Sequence, residues 1–476
     1  MGQLSTFPMI FTIESLRNTS LNIHIVGAAA VEGAAIARFL AQLGVKNVTL
    51  HDFCEQKDFA KRFLTFHNGV KNRGDLWQIM KKLPYVFHFS TEYLQGIEGA
   101  DLIFLNQAWY KYDFNFPKLE KIVDEGKIAI SSMVDLYLQL FPGKVIGVTG
   151  THGKTTVTRL LGHVLNENKV KAYVSGNDRH SDQILDRLAD PNAFDPTEWL
   201  ILEISNRQLK QRYSRGPDIA IITNIYPNHL DEHSDINEYR LIKERIADNQ
   251  PTNSHLVVGD NDIELVTWAM KRGGKVLDAL YKESLCEAIQ FPTTLLGDHN
   301  VANVGFVDYV CSLLGITREQ LQVSLNSFKG VEKRMQRIYQ DANVIVINDL
   351  ASTTPQATLA AVKTYPGHPL IVVLGGDDKD IPIQNWQFLK EALSQAKVIM
   401  LPGTIEQKLV LPQAIKVSNW QAALQQIQLL LKEFQSHNQK ETIVLLSPSG
   451  EGFYTSFLQG VSLQKEIETT FGLQSV

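Results

Sequence analysis

Short apolar segments recur along the chain and alternate with stretches in which apolar residues return every three or four positions. Continuous apolar runs are typical of strands buried on both faces of a parallel sheet, whereas the second pattern is typical of amphipathic helices. Four apolar runs precede Phe141–Gly143, at residues 21–27, 47–52, 101–105 and 128–131. With an amphipathic pattern between the first two, they predict a Rossmann-like N-terminal domain.

The same alternation continues through the rest of the chain. Apolar runs follow at residues 144–148, 172–176, 199–204 and 219–225, and again at 344–349, 370–376, 398–401 and 443–447. At about 150 residues per domain, a chain of 476 residues has room for three. We therefore predict an α/β protein with a Rossmann-like domain over 1–142, a central P-loop ATPase-type parallel sheet over 143–330 and a Rossmann-like domain over 331–476.

The most specific chemical signal follows the apolar run at 144–148. Residues 149–156 read Thr-Gly-Thr-His-Gly-Lys-Thr-Thr, and a helical pattern begins directly after them. In such a strand–loop–helix unit, glycines let the backbone approach an anion, and the helix N-terminus favours negative charge. Lys154 is placed to reach the β- and γ-phosphates and the Thr155 hydroxyl to contact Mg²⁺. The sequence predicts a nucleotide-triphosphate loop here.

Two acidic residues stand at the carboxyl ends of predicted strands. Glu203 ends the run at 199–204, where a Mg²⁺ ligand belongs in a P-loop domain, although a salt bridge at the strand end is the alternative. Asp52 ends the second run, beyond the turn that opens at Gly27. A Rossmann-like opening of this kind fits a nucleotide-type ligand, and dinucleotide binding or plain packing are the alternatives.

Composition narrows the class of protein. The net charge of −5 and the absence of a long basic run argue against nucleic acid as a partner. Cys54, Cys286 and Cys311 are scattered and odd in number, which favours reduced thiols in a cytoplasmic protein. No apolar run approaches the roughly 18 residues that span a bilayer. We expect a cytoplasmic monomer with small-molecule substrates and no membrane contact.

A competing motif occurs at His229–His233, which reads His-Leu-Asp-Glu-His and matches a zinc-protease signature. That chemistry needs both histidines on one face of a helix of several turns. Pro227 precedes the motif and Ser234–Asp235 follows it as a helix cap, so only about one turn fits between them. The sequence favours a loop histidine that assists a metal or phosphate site.

Several separated motifs together resemble those of the Mur ligases, the ATP-dependent amide-forming enzymes of peptidoglycan precursor synthesis. The similarity runs over nearly the whole length. It comprises the loop at 149–156, the Glu-Ile-Ser-Asn-Arg-Gln-Leu of 203–209, the segment from 223 through His229–His233 to Lys243, the Gly-Asp-His-Asn-Val-Ala-Asn of 297–303, and Lys333–Arg334.

The resemblance implies roles for these residues. ATP would contact Gly150, Thr151, His152, Gly153, Lys154, Thr155, Thr156, Asn300, Asn303, Arg334 and Asp349. Catalysis would rest on Lys154, Glu203, His229, Lys243 and Arg334. Two Mg²⁺ ions would be held by Thr155, Glu203, His229 and a carbamylated Lys243. The N-terminal domain would bind the uridine part, and the contacts with the UDP-linked substrate would be Gly27, Asp52, Asn177, Ser205 and Gln208.

The C-terminal domain indicates the branch of the family. Asn348–Asp349 with Thr353, and Gly375–Lys379, resemble the acceptor site of the branch that adds D-glutamate to UDP-N-acetylmuramoyl-L-alanine. The resemblance implies that Thr353, Lys379 and Ser447 contact the amino acid.

Some residues of that site differ from the branch pattern. Ala351 and the loop 450–452 replace groups that the branch usually has. Another acceptor, such as L-glutamate or a folylpolyglutamate-type substrate, therefore stays open. A regulatory protein without turnover is disfavoured, because Lys154, Glu203, His229 and Lys243 are all present.

Overall fold

A computed structural model describes residues 9–68, 70, 72–107, 119, 121, 128–177, 183–211, 213–435, 441–452 and 463–471. The described strands form three sheets, and helices connect most of the strands that follow one another in the sequence. The predicted α/β class with parallel sheets is confirmed.

The first sheet is five-stranded and parallel, in the order β3-β2-β1-β4-β5. Its order reverses at β1, so the turns after β1 and β4 lie at the switch point where doubly wound sheets bind ligands. Its elements are α1 (Ile13–Arg17), β1 (Ile23–Val26), α2 (Val31–Gln42), β2 (Val48–Asp52), α3 (Phe59–Phe66), α4 (Arg73–Met80), β3 (Val86–Phe89), β4 (Leu102–Leu105), β5 (Ala129–Ser131) and α5 (Met133–Leu140).

The second sheet has six strands in the order β11-β10-β9-β6-β8-β7. The central strand β6 pairs in parallel with both β8 and β9, so residues that follow these three strands emerge at one edge. Its elements are β6 (Lys144–Thr149), α6 (Lys154–Glu167), β7 (Ala172–Gly176), β8 (Trp199–Glu203), β9 (Ile219–Ile222), α7 (Ile236–Glu244), β10 (His255–Gly259), α8 (Ile263–Lys271), β11 (Lys275–Leu277), α9 (Ala279–Ala288), α10 (Asp298–Leu313) and α11 (Arg318–Ser327).

The third sheet runs β12-β13-β17-β14-β15-β16, with β12 antiparallel to β13 and the other pairs parallel. Its elements are β12 (Gln336–Gln340), β13 (Val344–Asn348), α12 (Pro355–Lys363), β14 (Leu370–Gly375), α13 (Gln384–Ala392), β15 (Lys397–Met400), α14 (Ile405–Lys408), β16 (Ile415–Lys416), α15 (Trp420–Gln435), β17 (Thr442–Ser449) and α16 (Leu463–Phe471).

Helices cover both faces of the third sheet. Along β14, Ile371 and Val373 pack with Trp420 of α15, whereas Val372 and Leu374 pack on the opposite face with Trp386 of α13. Successive side chains of a strand point to opposite faces, so a strand covered on both sides must be apolar throughout. This double burial explains the continuous apolar runs in the sequence.

By contact density the chain divides into two compact units. The first unit comprises Met1–Gly150, Leu161–Asn224 and Arg240–Val276, and the second comprises Thr151–Leu160, Ile225–Tyr239 and Leu277–Val476. The three-domain division at 142 and 330 stays a prediction. Within the described part of the chain, no helix is long and apolar enough to cross a membrane.

Three histidines stack across the first sheet, one on each of its strands β1, β2 and β3. His24 and His51 are buried, with His24 Nδ1 lying 2.8 Å from His51 Nε2, and the His51 and His88 rings stack 5.5 Å apart. Burial is the main cause, with a smaller contribution from neighbouring imidazoles, of a pKa lowered from 6.5 to about 4 for His24 and to about 3 for His51. Both rings are therefore neutral in the folded protein at pH 7.

We predict that mild acid destabilises this sheet through the buried histidines. Below pH 6.5 the unfolded chain binds protons that the folded chain excludes, so the stabilisation present above pH 6.5 is lost as the pH falls towards the folded pKa values. Each histidine contributes up to about 1.4 kcal/mol per pH unit. Urea unfolding between pH 7.5 and 5.5 measures how steeply the free energy of unfolding falls as the pH is lowered. This dependence on pH should be weaker in His51→Gln and unchanged in the control His255→Gln, where the replaced histidine is exposed. Equal slopes in all three proteins would contradict this role.

Candidate active site

The start of α6 lies in the second unit and carries the predicted phosphate-binding residues. Lys154 is the first residue of the helix, and its Nζ donates to the carbonyl of Thr151 at 3.0 Å. The Arg334 guanidinium donates to Thr155 Oγ1 at 2.9 Å, so two cationic side chains reach the same turn. Thr156 follows as a buried residue. A helix N-terminus with two cations suits a polyphosphate.

Gly153 has a left-handed backbone next to α10. Its φ is +83°, and a Cβ placed on it would lie 2.3 Å from Asn303 Oδ1. Asn303 Nδ2 in turn donates to Asn300 Oδ1 at 3.0 Å, and Asn300 Nδ2 donates to the carbonyl of Leu296 at 2.9 Å. The two asparagines predicted to contact adenine are therefore buried and fixed, and Asn303 requires glycine at position 153.

Thr151 and His152 anchor the loop within the second unit. Thr151 Oγ1 accepts from the Tyr226 amide at 2.9 Å, and the Tyr239 hydroxyl lies 3.3 Å from the same oxygen. His152 Nε2 shares a hydrogen bond of 3.2 Å with Thr354 Oγ1. Thr354 is the residue that caps α12. Two separate segments therefore hold the loop: the region of Tyr226 and Tyr239 contacts Thr151, and the start of α12 contacts His152.

His229 belongs to a group of possible metal ligands in the same unit. One ligand atom each from His229, Asp231 and Glu232 lies within 4.8 Å of the others. Residues 229–233 form turns, and α7 begins only at Ile236, so the arrangement of two histidines on a helix that a zinc protease needs is absent from this segment. Oxygen-rich groups of this kind suit Mg²⁺ better than Zn²⁺.

The carboxyl edge of the third sheet holds Asp349 in a hydrogen-bonded cluster. Its Oδ2 accepts from Ser352 Oγ at 2.6 Å and from Ser447 Oγ at 2.8 Å, and its Oδ1 accepts from the Met335 amide at 3.1 Å. Burial raises the pKa of Asp349 to about 6, and these donors limit the rise. Ser447 is fully buried and also contacts Thr358. Both predicted contacts therefore already have partners within the unit.

Lys379 forms the cationic centre of the predicted acceptor site. Only 6% of its side chain is exposed. Its Nζ donates to Thr353 Oγ1 at 3.0 Å and lies 2.9 Å from Glu451 Oε1. The structure thus brings together two of the three side chains that the sequence assigned to the amino acid, and it adds a carboxylate that the sequence did not assign.

Glu203 and Lys243 lie in the first unit. Glu203 is the buried last residue of β8, and its Oε1 accepts from Asn177 Nδ2 at 2.8 Å. Lys243 is 1% exposed, and its Nζ donates to the carbonyl of Gly150 at 2.9 Å. A buried ammonium is costly unless it is paired or modified. The hydrogen bond to the Gly150 carbonyl gives the buried Lys243 ammonium one such partner, at the start of the predicted phosphate loop.

Gly27 and Asp52 meet at the carboxyl edge of the first sheet. A Cβ on Gly27 would lie 1.5 Å from Asn106 Nδ2, which donates to the carbonyls of Val26 and Gly27. Asp52 Oδ2 accepts from the Ala29 amide at 2.9 Å, and Arg62 Nε lies 3.1 Å from its Oδ1. The turn after β1 is thus tied to the ends of both neighbouring strands.

Ser205 and Gln208 are connected to this edge within the first unit. Ser205 Oγ donates to Gln107 Oε1 at 2.8 Å, and Gln208 Oε1 accepts from the Ser205 amide at 2.9 Å. Gln208 Nε2 also donates to Glu32 Oε1, and Glu32 Oε2 accepts from the Gln107 amide. These contacts group four of the five residues assigned to the UDP-linked substrate near one strand edge, because Gly27 contacts Asn106, which precedes Gln107. Asn177 lies instead against Glu203.

Sequence reasoning missed several members of these clusters. Asn106 and Gln107 directly follow an apolar run, which is the signal that identified Asp52. Thr354 precedes Pro355, a typical helix start. Glu32 and Glu451 carry no such signal, because their partners are distant in the chain.

Comparison with known proteins places these observations in a family. A protein-family model described as "Mur ligase middle domain" matches residues 148–284 of this chain. A UDP-N-acetylmuramoylalanine–D-glutamate ligase of Caldanaerobacter subterraneus is 29% identical over 406 residues, which cover 81% of this chain and 83% of the relative. An enzyme of the same name from Christiangramia forsetii is 30% identical, covering 62% of this chain and 69% of the relative.

Solved structures show the same fold. The MurF ligase of Thermotoga maritima in complex with ADP aligns with a TM-score of 0.54 and 18% identity, covering 78% of this chain and 90% of that one. The UDP-N-acetylmuramate–alanine ligase MurC of the same organism aligns with a TM-score of 0.53 and 18% identity, covering 94% and 100%.

The fold and the relatives define an ATP-dependent, ADP-forming amide ligase. The chain belongs to the Mur ligase family, and the resemblance stated from its motifs is confirmed.

We predict that Gly153→Ala destabilises the protein more than a glycine replacement that only adds strain. Gly44 is the matched control, because it has φ +80° and nothing within 4 Å of an added Cβ. Gly44→Ala should cost about 1 kcal/mol and Gly153→Ala about 2–3 kcal/mol in urea unfolding. Asn303→Ala in the Gly153→Ala background should recover part of the difference, since it removes the clash. Equal losses for the two glycine variants would show that Asn303 does not constrain the loop.

Proposed function

We propose that this protein joins glutamate, in the D form, to UDP-N-acetylmuramoyl-L-alanine with hydrolysis of ATP to ADP and phosphate. The observation that best supports this activity is that two relatives, each aligned over about four-fifths of this chain, are named D-glutamate ligases. The contact of Lys379 with Thr353 in the acceptor region agrees with an anionic amino acid.

In the first step, the carboxylate of the UDP-linked substrate attacks the γ-phosphorus of ATP. The bond to the β-phosphate oxygen breaks, ADP leaves, and an acyl phosphate forms. Two polyanions must approach each other, so cations are required. Lys154 supplies one charge at the N-terminus of α6, and Arg334 supplies another where it contacts Thr155. Asn300 and Asn303 would hold the adenine, and Asp349 the ribose.

The donor set fits Mg²⁺. Glu203 is a buried carboxylate, His229 lies beside two carboxylates, and Thr155 offers a hydroxyl. We propose Thr155, Glu203, His229 and a carbamylated Lys243 as the residues that hold two Mg²⁺ ions. Bound Mg²⁺ neutralises phosphate charge. Carbamylation would require the Lys243 ammonium to lose one proton, and the neutral amine would then join CO₂ with loss of a second, so that a buried cation is replaced by an anionic oxygen ligand.

In the second step, the amine of the acceptor attacks the acyl phosphate. The C–N bond forms, the C–O bond to phosphate breaks, and the amine loses its proton. Lys379, Thr353 and Ser447 would orient the acceptor through its carboxylates. Gly27, Asp52, Asn177, Ser205 and Gln208 would hold the UDP-linked substrate.

Other expectations belong with this activity. We propose the three-domain division at 142 and 330, a monomeric state and a cytoplasmic location, where UDP-linked precursors and ATP are both present. L-Glutamate stays the alternative acceptor, because Ala351 and the 450–452 loop differ from the residues usual in the D-glutamate branch.

We predict ligation only with ATP, Mg²⁺ and the UDP-linked substrate together. Mass spectrometry of reactions with a panel of amino acids identifies the acceptor, and chiral analysis of the hydrolysed product gives its handedness. Lys154→Ala should reduce kcat/KM at least ~10²-fold, the scale of one preorganised charge contact. Lys144→Ala, at the exposed start of β6, is the control. Release of AMP and pyrophosphate would contradict the mechanism, whereas L-glutamate in the product would correct only the handedness.

We predict that Lys243→Ala is inactive and that acetate or formate restores part of the turnover, because a small carboxylate replaces the carbamate oxygen. Wild-type activity should fall in CO₂-depleted buffer and return with bicarbonate. Lys271→Ala, at the exposed end of α8, should behave as wild type in both assays. Full activity of Lys243→Ala would refute a ligand role for this lysine.

A further inference from the structure

Glu451 occupies a fixed position at the carboxyl edge of the third sheet. The Asp377 amide donates to the Glu451 carbonyl at 2.9 Å, and the Glu451 amide donates to the Asp377 carbonyl at 2.8 Å. These two bonds form a short antiparallel bridge just beyond the ends of β14 and β17. The backbone on both sides of the Glu451 side chain is therefore tied to the segment that carries Lys379.

Two glycines allow this bridge to form. A Cβ on Gly376 would lie 2.4 Å from the Glu451 carbonyl oxygen, and a Cβ on Gly450 would lie 2.7 Å from the Gly376 carbonyl carbon. Gly376 also has φ +99°. Neither position accepts a side chain without a backbone shift. The close approach of the two segments directs Glu451 at the end of the Lys379 side chain.

The charges around Lys379 are already balanced within the second unit. Glu451 Oε1 lies 2.9 Å from Lys379 Nζ, and the glutamate side chain is 44% exposed whereas the lysine is 6% exposed. Another carboxylate entering here meets repulsion from Glu451 unless Glu451 moves away from the lysine.

We propose that Glu451 is a specificity-determining residue that occupies the carboxylate position of the acceptor amino acid, and that a carboxylate of the acceptor displaces it from Lys379 and Thr353. This role deepens the proposed ligase activity and rests on it. The half-exposed Glu451 is the partner that can swing into water, because the lysine is enclosed. Acceptors then bind only when their carboxylate contacts exceed those of the internal glutamate, so weakly anchored amino acids are rejected.

Steady-state kinetics of Glu451→Gln test the competition. With ATP and the UDP-linked substrate saturating, KM for the acceptor should fall roughly fivefold, the scale of a partly exposed ion pair. The kcat should stay within about twofold and KM for ATP should not change, because Glu451 touches neither the reacting atoms nor the phosphate loop. Glu451→Asp, which keeps the charge, should return KM towards the wild-type value.

Glu433→Gln is the matched control. Glu433 pairs with Lys397 at 3.0 Å in the same unit, but both side chains are largely exposed and lie outside the acceptor region. All variants are checked by thermal unfolding. An unchanged or increased acceptor KM in folded Glu451→Gln would overturn the proposal, as would an equal fall in Glu433→Gln.

The two hypotheses fail in different ways. KM is measured for whichever amino acid the wild-type enzyme incorporates, since every amino acid carries a carboxylate. Incorporation of an acceptor other than glutamate would refute the proposed substrate and leave the Glu451 comparison in place. Incorporation of D-glutamate with no effect of Glu451→Gln would retain the ligase and remove the competing role.

Discussion

The organisation of this protein depends on one constraint: strands buried on both faces of a parallel sheet are mostly apolar, so most of the polar side chains of the predicted sites lie at or near the strand ends. The third sheet is apolar through β14 because α15 covers one face and α13 the other. The polar residues of its predicted sites lie at or near the strand ends, with Asp349 directly after β13 and Ser447 near the end of β17. The same rule places Asp52 at the end of β2 and Glu203 at the end of β8. Burial and site location are therefore two consequences of one architecture.

A second structural feature is that glycines allow segments distant in the sequence to approach each other closely. Gly153 admits Asn303 next to the phosphate loop, and Gly376 admits the Glu451 backbone next to the acceptor lysine. In each case a residue without a side chain lets a functional segment reach a partner that is remote in the sequence. The resulting contacts are short and within one unit, so they fix positions before any substrate arrives. Such preorganisation is what a ligase needs when two anionic substrates must meet.

Electrostatics distinguish the predicted sites from one another. Lys154 and Arg334 concentrate positive charge at the start of α6, whereas Lys379 is paired with Glu451. Lys243 is enclosed with the Gly150 carbonyl as a partner, an environment that penalises a free ammonium. The three lysines therefore have different surroundings: a helix N-terminus with a second cation nearby, a carboxylate partner, and a buried backbone carbonyl.

The sequence by itself determined the α/β class and twelve of the seventeen described strands, and it predicted the phosphate loop, because these depend on local periodicity and on residues adjacent in the chain. It did not predict β3, β10, β11, β12 and β16. It also paired Thr353 with Lys379 through resemblance to a family. Only the tertiary structure decided that Ser447 and Asp349 share a buried cluster, that Glu32 and Gln107 join Ser205 and Gln208, and that Glu451 contacts Lys379. Most of those contacts join residues that are far apart in the sequence, and their distances depend on sheet order and on close backbone approaches at glycines, which no local pattern records.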